Sequence, residues 1–204
     1  MKQKHSLIKL SLLITLSPIA FAQSSPTATQ TLQLSAFAGI TGTFIDIEGG
    51  KNLGITAGAD LTFLNLSRHF KPSIEIRGTY PIDDGHIASE KNFLGGVKVE
   101  YPVHRFHPYG DFFVGRGEID YNNGGFIVIV SPTETLNYLS SNTTIYSPGG
   151  GLDYDISHTI ALKADVQVQH WDVPVLPSGS AWATSLTFGA VYNFDFNPHR
   201  RYKQ

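Results

Sequence analysis

The chain has 204 residues, 41% apolar, 16% charged and 12% aromatic, with 20 glycines and no cysteine. That is enough for one domain with its own core, and it excludes a disordered tail, a collagen-like rod, a disulfide framework, a thiolate metal site, a catalytic thiol and lipoprotein acylation. Charge is low for a soluble domain while mean hydropathy is only −0.07, so apolar and polar residues must be interleaved, as they are in strands.

At the amino end Lys2, Lys4 and Lys9 precede the apolar run Leu10 to Ala20, and Ala20-Phe21-Ala22 places small residues where a signal peptidase reads. This predicts a secretory signal over residues 1–22, since the run is too short to span a bilayer as a helix. Cleavage would leave 182 residues with 12 basic and 17 acidic side chains, a formal charge of −5 that speaks against nucleic acid as a partner. Residues 23–30, rich in Ser, Thr and Pro, read as a short leader.

From there period-2 alternation dominates, and turn residues cut the chain into eight strands: Thr31 to Ile45, Gly54 to Leu66, Ser73 to Tyr80, Asn92 to Pro102, His107 to Ile119, Thr144 to Asp155, Thr159 to His170 and Ala181 to Phe196. Most reach the roughly 9–11 residues that a tilted strand needs to cross a bilayer. Connections 67–72, 103–106 and 156–158 are short, whereas 46–53, 81–91, 120–143 and 171–180 are longer. An even strand count with this asymmetry predicts an all-β fold, an eight-stranded antiparallel up-and-down transmembrane β-barrel over residues 31–196, followed by a polar tail, 197–204.

Periodicity alone does not tell an apolar-in soluble barrel from an apolar-out membrane barrel. In the seventh strand Ile160, Leu162, Ala164, Val166 and Val168 oppose Ala161, Lys163, Asp165, Gln167 and Gln169. The third opposes Ile74, Ile76 and Tyr80 to Glu75 and Arg77, and the fourth opposes Phe93, Val97, Val99 and Tyr101 to Lys98 and Glu100. Charges of both signs share the polar faces with the small residues Gly96, Gly149, Gly151, Ser185 and Gly189, as a narrow packed lumen requires. Aromatics gather at both ends of the apolar faces, Tyr101, Tyr192, Phe194 and Phe196 at one and Phe44, Tyr80, Phe93 and Trp182 at the other, like two interfacial girdles. These features favour apolar-out. The fifth strand stays open: turning Tyr109, Phe113 and Ile119 outward exposes Asp111, and the reverse exposes Arg116 and Glu118, a conflict that a bulge would resolve.

The closing segment Thr187-Phe188-Gly189-Ala190-Val191-Tyr192-Asn193-Phe194 looks like the β-signal read by the barrel-assembly machinery, carried by Gly189, Tyr192 and Phe194. With Pro108-Tyr109-Gly110-Asp111-Phe112-Phe113-Val114-Gly115, the eight strands and the signal segment, the chain resembles the OmpA-like or OmpX-like eight-stranded outer-membrane barrels. The resemblance implies an outer-membrane location in a Gram-negative cell, with outer-membrane lipid, lipopolysaccharide and the assembly machinery as partners. No segment resembles a peptidoglycan-binding domain, so cell-wall anchoring is not implied.

The ionisable residues Glu75, Arg77, Lys98, Glu100, Asp153, Lys163 and Asp165 are read as lumen salt bridges, with Asp153 opposite Lys163 across a tight turn and Glu75 with Lys98, or Arg77 with Glu100, satisfying the third hairpin. His104, Arg105, Phe106 and His107 crowd one turn without a second ligand pair, and read as solvated turn residues rather than a metal site. Neither a metal nor another cofactor is expected. Barrels that deacylate lipid A use a His-x-Ser pair, absent here; His170-Trp171-Asp172 with Ser178 or Ser180 is the one set offering nucleophile, base and acid. Loop 120–143 carries the apolar run Phe126-Ile127-Val128-Ile129-Val130, read as a strand extension or hairpin above the membrane, with a recognition edge for a surface partner as the competing reading. The expectation is a non-enzymatic barrel serving envelope integrity or surface interaction. A lipid A-modifying enzyme on the same barrel, and an exported lipocalin-like binder, are the alternatives.

Overall fold

The computed structural model describes residues 32–63, 69–85, 88–122, 124–131, 134–173, 176 and 178–194. The expected signal segment 1–22, the leader 23–30, the tail 197–204 and Phe196 of the last strand lie outside them. Ten strands follow in order: β1 (Leu32–Ile45), β2 (Lys51–Phe63), β3 (Lys71–Asp83), β4 (Ala88–Glu100), β5 (Phe106–Tyr121), β6 (Phe126–Ser131), β7 (Glu134–Tyr138), β8 (Ser140–Asp155), β9 (Ile160–Asp172) and β10 (Ser180–Asn193). Eight of them form a closed antiparallel barrel in the order β1-β10-β9-β8-β5-β4-β3-β2, and β6 and β7 pair separately. Closure matters physically, because β1 and β10 pair along eleven residue positions and leave no strand edge to face hydrocarbon.

Following paired residues once around the wall, from Arg116 through Phe93, Gly78, Ala57, Ala38, Ala190, Leu162 and Tyr154, returns to β5 at Phe106, ten residues from the start. A stagger of that size over eight strands corresponds to a strand tilt of roughly 40°. Trp182 and Tyr192, both exposed and ten residues apart on β10, are then separated by about 25 Å along the axis, the height of an outer-membrane apolar band.

The side chains face as alternation and charge predict. Ile160, Leu162, Val166 and Val168 are 39–51% exposed, whereas Lys163, Asp165, Gln167 and Gln169 are 2–3% exposed. Ile74, Ile76, Tyr80, Phe93, Val97, Trp182 and Phe188 also point outward. The lipocalin-like alternative, which needs these residues inside, is thereby excluded.

Two sequence expectations change. Strands run past the apolar band, so the outer connections shrink to 46–50, 84–87 and 173–179, no longer than the opposite ones at 64–70, 101–105 and 156–159. The long-loop asymmetry survives only in 122–139, which marks the outer rim. β5 carries no bulge: its pairing with β4 and β8 is continuous, with Tyr109, Phe113 and Ile119 inside and Arg116 outside. The irregularity in the wall falls instead between Leu53 and Gly54 opposite Pro81 and Asp83, where a proline without an N–H fits poorly into a regular ladder.

Candidate functional site

The lumen is built in layers. In the inner half β3 contributes Glu75 and Arg77, β4 Lys98, β8 Asp153 and β9 Lys163 and Asp165, all nearly fully buried. Arg77 donates from Nε to Glu75 Oε1 at 2.8 Å and reaches across the barrel to Asp165, Nη1 to Oδ1 at 2.7 Å and Nη2 to Oδ2 at 3.3 Å. Such a fork is the geometry in which a guanidinium matches a carboxylate best. Lys98 Nζ lies 3.7 Å from Glu75 and 3.8 Å from Asp153. Asp153 and Lys163 are direct cross-strand partners, 3.7 Å apart at Oδ1 and Nζ. The Lys163 ammonium also stands over the rings of Phe37 and Tyr109, at 4.7 and 4.4 Å.

Three further residues, outside the seven expected from sequence, complete this layer. Asp60 meets Lys98 at 3.4 Å, Asp111 lies 3.9 Å from Arg77 and accepts from Gln167 Nε2 at 2.9 Å, and the Tyr109 hydroxyl donates to Asp165 at 2.8 Å. Asp60 shares strand parity with Thr56 and Thr62, both buried, so parity alone would have found it. Asp111 and Tyr109 were hidden by the mixed character of β5.

Glu100 is not a partner of Arg77. It sits at the inner rim, 3.9 Å from Lys71, its direct neighbour across β3 and β4, and 2.6 Å from His107 Nδ1. His107 in turn lies 3.0 Å from Asp155 through Nε2, so this residue is an inward strand residue rather than a solvated turn residue. His104, with a φ of 58°, holds the turn itself. A cavity of about 140 Å³ opens at this rim, lined by Asp60, Lys98, Glu100, His107, Asp153 and Asn193 among others.

Above the ions a hydroxyl chain links four strands: Thr187 to Thr41 at 2.8 Å, Thr41 to Thr56 at 2.5 Å and Thr56 to Thr79 at 2.8 Å. Then the lumen turns apolar. Ile45, Ile47, Leu94, Phe113, Ile119, Ile145, Trp171 and Val173 are all buried and pack together, with Tyr138 and Leu176 against them. Gly117 supplies the floor for Trp171, since any Cβ there would run into the indole and Ile145. The expected polar interior is thus correct for the inner half only. The outer half is a hydrophobic plug, because charges there would lack partners at a depth where each costs several kcal/mol. Glu90 is the exception in this half, 1% exposed with neither carboxylate oxygen hydrogen-bonded; Asn92 Oδ1, two residues along the strand, is also unpartnered.

At the outer rim Trp171 points inward while His170, Asp172, Ser180 and Trp182 share the outward face, His170 opposite Trp182 and Asp172 opposite Ser180. The His170 ring meets Trp182 edge-on at 4.8 Å, and the Ser178 hydroxyl donates to the Ser180 carbonyl at 2.9 Å. Among the described residues no hydrogen bond joins His170 to Asp172, Ser178 or Ser180. No group of three or more His, Asp or Glu side chains able to hold a metal ion occurs among them either. β6 and β7 form a hairpin above the barrel, entered through Gly124 and Gly125 with φ of 90° and 100° and closed on the wall where Tyr121 N–H donates to Leu139 O at 2.9 Å. Ile127, Leu136 and Leu139 are exposed on it.

A model of the outer membrane protein beta-barrel domain family matches residues 10–194. The chain belongs to this family. Among solved structures, the attachment invasion locus protein Ail of Yersinia pestis is 13% identical, over 80% of this chain and 99% of that one, with a TM-score of 0.52. Neisserial surface protein A is 10% identical over 79% and 97%, TM-score 0.49, and outer membrane protein W of E. coli 15% identical over 82% and 100%, TM-score 0.41. At such identities the Ail likeness speaks for the fold. Among curated proteins none matches the sequence. Family membership and the outward apolar belt place the protein in the outer membrane, with the β6–β7 hairpin beyond the outer edge of that belt. Gly189 faces Gly39 across the β1–β10 seam, and the rings of Tyr192 and Phe194 meet at 5.1 Å on the lipid side.

Proposed function

We propose that this outer-membrane barrel is non-enzymatic and non-conducting, and that it serves envelope integrity or surface interaction through its outer end. The observation that carries the reading is the lumen, where an ionic layer and a hydrophobic plug of packed side chains lie in series. The exposed apolar residues of the β6–β7 hairpin are then the surface available to a partner at the cell exterior. Glu75, Arg77, Lys98, Asp153, Lys163 and Asp165 act as structural ties between strands, with Glu100 tying the rim. The test is replacement of residues 125–138 by a short Gly-Ser turn in the full chain. The barrel should still fold and migrate as a heat-modifiable band, while adhesion or partner capture by intact cells falls; unchanged behaviour in every such assay would defeat the surface role.

The enzymatic alternative draws on His170, Asp172 and Ser180 lying on one outward face. Its weakness is the lack of any hydrogen bond from base to nucleophile. Lipid A mass spectra should be identical in cells lacking and overproducing the protein. Gly189, Tyr192 and Phe194 are assigned to recognition by the assembly machinery, so that Tyr192→Ala with Phe194→Ala should slow machinery-assisted assembly into proteoliposomes while unassisted folding in detergent proceeds.

A further inference from the structure

The lateral wall carries a charge that the fold leaves unpaired. Arg116 points outward from β5, directly opposite the outward Phe93 on β4. The stagger of the wall drops each hydrogen-bonded neighbour by about 1.25 residues per strand, which brings Arg116 level, within about two residues, with Phe44, Tyr80, Tyr146 and Trp182. It therefore lies in the outer aromatic girdle, where acyl chains end and headgroups begin. The nearest outward acids are not its partners: Glu118 and Asp120 both bind Lys91, at 3.1 and 2.9 Å. Among the described residues no acceptor lies within hydrogen-bonding or ion-pairing reach of the Arg116 guanidinium. Beside it an open depression of about 320 Å³ runs between Tyr80, Lys91, Phe93, Arg116 and Glu118.

We propose that this depression is a headgroup site for lipid A, with Arg116 as the ligand of one of its phosphates. A guanidinium at the membrane boundary needs an anion, and in the outer leaflet of an outer membrane the anion at that depth is the lipid A phosphate. Tyr80 and Phe93 flank the acyl chains just below, and the Lys91 pair with Glu118 and Asp120 forms the upper lip. The site is independent of the lumen and of the β6–β7 hairpin.

Native mass spectrometry of the full chain folded in detergent, titrated with diphosphoryl lipid A, tests the assignment. The wild type should retain one lipid A per barrel in the presence of EDTA. Arg116→Gln should bind it at least tenfold more weakly while keeping the same heat-modifiable band, Arg116→Lys should fall between, and lipid A stripped of phosphate should bind the wild type no better than diphosphoryl lipid A binds Arg116→Gln. Equal affinity for the wild type and Arg116→Gln, or for phosphorylated and phosphate-free lipid, would overturn the proposal. So would binding that appears only with Mg²⁺ and survives Arg116→Gln, since the acidic pair would then hold the lipid through a metal ion.

Discussion

Arg77 has two carboxylates within 2.8 Å, Glu75 on its own strand and Asp165 from the far wall, and all three side chains are at most 3% exposed. Removing the cation takes the nearest counter-charge from both anions and leaves Glu75 only Lys98 at 3.7 Å and Asp165 the Tyr109 hydroxyl, so Arg77→Leu should cost about 3–5 kcal/mol of unfolding free energy in urea titrations of the vesicle-embedded barrel. Lys91, with two similar contacts but a third of its side chain exposed, is the control: Lys91→Gln should change stability by about 0–1 kcal/mol. Glu90 predicts the opposite sign. Its buried carboxylate oxygens have no hydrogen-bond partner, so Glu90→Gln, which removes the buried charge, should stabilise by about 1–3 kcal/mol in the same titration.

Among the elements, β9 was fully legible because the alternation of Leu162, Val166 and Val168 with Lys163, Asp165 and Gln167 never breaks. β5 was not, and the reason is physical. Its inward face runs from the rim at His107 through the ionic layer at Tyr109 and Asp111 to the plug at Phe113, Ile119 and Tyr121, so a polar-in rule reads the same face as both inside and outside. Leu94, Ile145 and Trp171 stand on the charged parity of their strands for the same reason. The Lys163–Asp153 pair was visible because a short turn fixes its register, whereas Arg77–Asp165 spans 88 residues of sequence and no local pattern reports it. The plug makes its own prediction. Trp171→Ala empties the largest buried side chain and should cost about 3–5 kcal/mol, read from the urea midpoint, and Gly117→Val should also destabilise by displacing the indole.

At the scale of the whole molecule, the lumen and the belt follow from one constraint. A barrel of eight strands with a stagger of ten residues has an interior that its own side chains fill, so charges enclosed there are stable where they pair, and the unpartnered Glu90 is the departure from that rule. Planar bilayers containing the protein should accordingly show no stable large conductance; steady nanosiemens-scale openings would mean that the plug does not close the lumen. Apolar side chains of the wall meet acyl chains, and the ionised ones of the inner layer are enclosed. Because the chain has no cysteine, single-cysteine spin labels can be placed one at a time without background. In lipid vesicles, labels at Leu162, Val166 and Phe188 should be readily reached by dissolved oxygen, and labels at Gln167 and Thr187 should be shielded from both oxygen and a water-soluble nickel chelate. The reverse alternation, with labels at 162, 166 and 188 shielded and those at 167 and 187 open to the chelate, would contradict the membrane-spanning barrel.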